Sequence, residues 1–84
     1  MGRTPELRRV ARTRMICGGR MVAEERSQAC VVLDLSATGA RIHLLHPEAA
    51  PSTAVLHLPG GVVRKAARRW QRDDIAGYEF CEPA

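Results

Sequence analysis

The sequence predicts an all-β fold, a small six-stranded antiparallel β-barrel, on three observations. Short apolar runs of alternating character recur along the chain. Turn signals interrupt them roughly every eight to twelve residues. Helical periodicity is hard to find in any long window. Closure follows because six short strands left open would expose hydrogen-bonding edges. The chain has 84 residues, room for one domain. A domain of this size buries only about 60–65% of its unfolded surface, so the core is thin and function belongs on a surface site or shallow groove.

The first predicted strand covers residues 15–22, where Gly18-Gly19 suggests a bulge or tight bend. A polar turn, Ala23-Glu24-Glu25-Arg26-Ser27, leads into a Val- and Leu-rich strand over 28–36. In the third strand, 38–45, Ala40, Ile42 and Leu44 face one way and Arg41 and His43 the other. A loop follows, with one helical turn expected over 47–50, and then a strand over 53–58 that stops at Pro59-Gly60-Gly61. A charged strand over 62–71 turns at Asp73-Asp74 into the last one, 75–81.

Charge is unevenly placed. Residues 1–14 hold Arg3, Arg8, Arg9, Arg12 and Arg14 against Glu6, which accounts for the whole net charge of +4. Residues 15–84 carry eight basic and eight acidic side chains, a neutral body. The layout is a basic N-terminal arm over 1–14 attached to a barrel over 15–84. It suits a compact anion better than a long nucleic-acid duplex. Cys17, Cys30 and Cys81 are odd in number and widely spaced, which disfavours a disulfide framework or zinc knuckle and fits a reducing cytoplasm. They read as small buried apolar side chains. His43, His46 and His57 join them in no metal-ligand spacing, so neither metal nor cofactor is expected. No run approaches the roughly twenty apolar residues of a bilayer span, and no apolar segment follows the N-terminal arginines as in a secretory signal.

Two constellations carry chemistry. Arg8 and Arg12 stand four apart, so they share a side whether the arm is helical or extended. Two convergent guanidiniums suit a phosphate or the O6/N7 edge of a guanine. Alone, the pair also fits a solvated basic tail. The second constellation is Asp34-Leu35-Ser36-Ala37-Thr38-Gly39. Simple alternation sends Leu33 and Leu35 to the core and points Asp34 and Ser36 outward, where Asp34 suits the N1–H and N2–H₂ donors of a guanine. Gly39 is expected to supply positive φ and close backbone approach. Ordinary turn chemistry explains the same residues equally well. The 22 residues from Arg12 to Asp34 match two strands and a turn, so a folded-back arm meets that face.

Together these motifs resemble the PilZ family: an R-x-x-x-R ahead of a small barrel, then D/N-x-S-x-x-G on an early strand. Arg8/Arg12 and Asp34/Ser36/Gly39 match in order, the stretch through Ala40-Arg41 is similar, and Gly77-Tyr78-Glu79-Phe80 looks like the family's last strand. The resemblance spans residues 6–81. It implies a bacterial receptor for the second messenger cyclic di-GMP. Arg8 and Arg12 would then hold guanine edges and phosphates, Asp34 and Ser36 would contact a guanine, and Gly39 would permit close approach. Arg9 and Arg41 are weaker candidates for phosphate. The 84 residues contain neither the C-terminal helix of many members nor an output domain, so an effector protein must receive the signal. Leu7 ahead of Arg8 provides no guanidinium for a second stacked nucleotide, so one ligand per chain is expected.

Trp70 reads as packing, and Arg64-Lys65 with Arg68-Arg69 as a solvated outer face. The alternative function is a PilZ-like protein adaptor that binds no nucleotide. A nucleic-acid-binding barrel would interleave aromatics with its cations, yet Trp70, Tyr78 and Phe80 lie far from the arm. No acid/base pair, activated nucleophile or metal cluster points to an enzyme.

Overall fold

The computed structural model describes residues 13–81, so the arm arginines Arg8, Arg9 and Arg12 lie outside the described residues. Six antiparallel strands form a closed barrel: β1 (Thr13–Ala23), β2 (Arg26–Leu35), β3 (Gly39–Leu44), β4 (Thr53–Leu58), β5 (Val62–Arg72) and β6 (Ile75–Phe80). Around the barrel they run β1-β2-β3-β6-β5-β4. The expected fold is therefore observed, and each expected strand is present. β1 starts two residues early, so Thr13 and Arg14 belong to the barrel and not to the arm.

Alternation builds the core. Met21, Val32, Ile42 and Leu56 are the largest fully buried side chains, joined by Cys30, Leu44, Leu58 and Tyr78. Burial pushes the Cys30 thiol up to about 11, against a smaller lowering by Arg20. Cys17 and Cys81 are exposed, contrary to the expectation that all three cysteines pack inside.

Because β4 pairs with β1 and not with β3, the segment between β3 and β4 must cross one end of the barrel. It contains the expected helical turn, a 3₁₀ turn at Pro47–Ala49. Carbonyls of a crossing loop have no ladder partners and need donors. Gln28 Nε2 donates to Ala49 O, Arg68 Nη1 to Ala50 O, Gln71 Nε2 to Pro47 O, and the Tyr78 hydroxyl to Pro51 O at 2.7 Å. Burial raises the Tyr78 pKa, partly offset by Arg68.

Three strands carry one extra residue each. Register shifts fall between Arg14 and Cys17 on β1, between Val32 and Asp34 on β2, and between Arg68 and Trp70 on β5. Gly18 and Gly19 sit in regular register with Val31 and Cys30, so the first of these bulges lies at Met15-Ile16 and not at the glycines. Bulges re-aim side chains and tighten local twist. Here all three lie at the same level of the barrel, which sets up the site.

Candidate functional site

The register just beyond the bulges aligns one residue from each of five strands. Arg14 pairs with Asp34, Asp34 with Arg41, Arg41 with Gly77, and Gly77 with Trp70. Directly paired residues share a face of the sheet. The five therefore form one row across β1, β2, β3, β6 and β5.

Asp34 lies on the outward face that alternation predicts, level with Arg14 and Arg41, yet it is not open to solvent. It is only 4% exposed, and its Oδ2 accepts from both Nε and Nη2 of Arg41 at 2.8 Å. The bulge changes the place of Leu33 instead, which alternation assigns to the core. Leu33 is the extra residue opposite β3; it is half-buried and outside the core cluster, whereas Leu35 packs against it. Asp34 itself stays level with outward-facing Arg41. A fork-to-carboxylate pair of this geometry holds the arginine more firmly than a single bond.

Ser36 makes the turn. Its backbone N–H donates to Gly39 O at 2.9 Å. Its Oγ accepts from Gly39 N at 3.2 Å and from Thr38 N at 3.3 Å. Gly39 does not have positive φ; among the described residues the positive-φ glycines are Gly60 and Gly61. It is required for another reason. A Cβ at Gly39 would lie 2.3 Å from the Tyr78 carbonyl oxygen on β6.

Trp70 is also placed otherwise than expected. It is 45% exposed and lies over Gly77, where a Cβ would come within 2.2 Å of the indole Nε1. Glycine across the strand is what lets the ring lie down on the sheet. Beside it is a shallow groove of about 210 Å³ containing Gly39, Gly77, Trp70, Arg41, Arg69 and Thr38. Arg69, the bulge residue of β5, pairs with Glu79 at its rim. Arg64, Lys65, Arg68 and Arg69 of β5 do not form one solvated stripe. Lys65 and Arg69 are exposed, whereas Arg68 holds the crossing loop and Arg64 stacks on the Phe80 ring at 4.8 Å.

A larger concavity of about 630 Å³ at the far end of β2 contains none of the motif residues. Its Glu24 and Glu48 set two carboxylates against Arg26, a poor surround for an anion. The small groove instead offers an aromatic face, a fixed guanidinium and a glycine floor. That set accommodates a planar base with a phosphate attached. The structure thus brings Asp34, Ser36, Gly39 and Arg41 together and adds Trp70. Compared with known proteins, the chain matches no family model and no curated protein.

Proposed function

We propose that the chain is a cyclic di-GMP receptor of PilZ type, acting in the bacterial cytoplasm and signalling to a separate effector protein. The observation that carries this reading is the row Arg14–Asp34–Arg41–Gly77–Trp70 beside the glycine-floored groove. The described residues begin at Thr13, which pairs with Leu35 between Asp34 and Ser36, and Arg12 is the residue before it in sequence. A guanine stacks on the Trp70 indole, Arg41 meets O6/N7 or a phosphate, and the Arg8/Arg12 pair closes from the arm. Asp34 acts through Arg41 by orienting it. Closure of the arm neutralises its charge and changes the surface offered to the effector, a shift driven by differential affinity for the closed form.

Calorimetric titration of the full chain with cyclic di-GMP tests this beside Arg12→Ala and Asp34→Ala. Wild type should saturate at one ligand per chain, with micromolar or tighter affinity. Loss of a bidentate arginine contact, about 1–3 kcal/mol, should weaken binding roughly 5- to 150-fold in Arg12→Ala. A folded wild type that evolves no heat would sink the receptor reading. Two ligands per chain would sink the single-site geometry.

Trp70 gives an independent check, because it is the single tryptophan. Its emission should change on titration with the same midpoint as the heat. Trp70→Ala should weaken binding about 5- to 150-fold, from a base-stacking contribution of about 1–3 kcal/mol. Unchanged emission together with unchanged affinity would remove Trp70 from the site. One observation favours the adaptor alternative: the Arg41 guanidinium is already paired with Asp34.

A further inference from the structure

The wall of the barrel formed by β1, β4 and the first half of β5 is not the surface of a strand that merely faces water. In each strand the core positions alternate inward: Met21 on β1, Leu56 on β4 and Ala66 on β5 are at most 1% exposed. The outward positions should then be polar. Register shows what they are. One cross-strand row reads Arg20–His57–Val63 and the next Val22–Val55–Lys65. Three of these six outward residues are valines, and Val63 is 51% exposed.

The charge on this wall has one sign. Arg20 and Lys65 are its charged residues and are exposed, and these two rows contain no carboxylate. The nearest acidic pair in sequence, Glu24-Glu25, sits in the turn that ends β1. Ser27 Oγ accepts from Arg20 Nε at 2.8 Å, which anchors that guanidinium beside the valines. An aliphatic strip bordered by cations is complementary to an aliphatic strip bordered by carboxylates. A second copy of this chain does not meet that requirement, since a two-fold contact sets this wall against itself and these rows bring no carboxylate to it. A single-stranded nucleic acid does not meet it either, since neither row holds an aromatic for stacking.

We propose that this β1–β4–β5 wall is a docking surface for an acidic protein segment whose Asp and Glu side chains flank aliphatic residues. The valines bury the partner's aliphatic residues, and Arg20 takes a carboxylate through its remaining N–H donors. The wall is distinct from the Trp70 groove, and the inference does not rest on nucleotide binding.

The test is selection of a displayed library of extended peptides on the full chain, followed by titration of the selected peptides and mapping of amide shifts. The expected peptides alternate Asp or Glu with aliphatic residues, and the shifts gather on Arg20, Val22, Val55, His57 and Val63. Arg20→Glu and Val63→Asp, each of which removes one contact and sets a new carboxylate against the acidic partner, should each weaken binding at least about tenfold, or about 1.4 kcal/mol. Both variants should keep the wild-type melting temperature and the wild-type response to cyclic di-GMP. Basic or charge-indifferent peptides, no selected binder, or affinities unmoved by both substitutions would overturn the proposal. So would phosphatidylglycerol vesicles that shift the same amides while the peptides do not, or a dimer in sedimentation that Arg20→Glu dissolves.

Discussion

Leu56→Ala is expected to cost about 3–4 kcal/mol, within the roughly 2–5 kcal/mol found for such truncations in cores. Leu56 has no exposed surface. It lies on the inner face between Met21 of β1 and Arg64 of β5. The strand that carries it also closes the barrel, and does so by a short seam: Arg20, Met21 and Val22 pair with His57, Leu56 and Val55. A cavity at Leu56 therefore weakens the joint on which closure depends. Total stability for a chain of this length is about 4–12 kcal/mol, so this one change removes much of it. Urea denaturation should show the loss, and hydrogen exchange should speed most at the amides of the seam. Val55→Ala, on the outward face of the same strand, should cost less than about 1 kcal/mol. Equal losses at the two positions, or a loss below about 1 kcal/mol at Leu56, would mean that the seam is not where closure is decided.

The strands were legible because period-two alternation and turn residues are local properties. The spacing from Arg12 to Asp34 was legible too, since β1, its turn and β2 fill it. What was not legible depends on a partner strand. At residue 33 a bulge takes Leu33 out of the core that alternation assigns it, and a bulge is defined only against the neighbour's register. Gly39 stood out in the sequence, yet the carbonyl that demands it belongs to Tyr78, far along the chain. Trp70 carried a signal that counting would have found. Asp73-Asp74 forms a two-residue turn, so Arg72 faces Ile75, Gln71 faces Ala76 and Trp70 faces Gly77. A tryptophan opposite a glycine in a hairpin has a bare strip of backbone to lie on, and this marks an exposed aromatic rather than a core one. The outward valines of β1, β4 and β5 were visible as well, but two-sided apolarity resembles a buried strand until the barrel shows which side is inside.

Gly39→Ala joins the fold and the site in one substitution. The new methyl would lie 2.3 Å from the Tyr78 carbonyl oxygen and 3.2 Å from the Glu79 Cα, both backbone atoms of β6 that cannot turn aside as a side chain would. Either β3 and β6 separate at this level or the Ser36–Gly39 turn is displaced. Overpacking of this kind costs about 1–3 kcal/mol, and rigid backbone on both sides places the expected value near the top of that range. At about 4–8 °C per kcal/mol for a domain of this size, the melting temperature should fall by about 10–20 °C. Gly18→Ala is the matched control, since a Cβ there meets nothing within 4 Å; its melting temperature should stay within a few degrees of wild type. The same displacement moves the groove floor and Arg41, the second residue after Gly39 on β3. Below its melting transition, folded Gly39→Ala should therefore also bind cyclic di-GMP at least about tenfold more weakly, while Gly18→Ala binds as wild type does. A large stability loss with wild-type affinity in the folded fraction would separate the turn from the ligand. Gly39 would then serve the barrel alone, and the groove beside Trp70 would need another occupant.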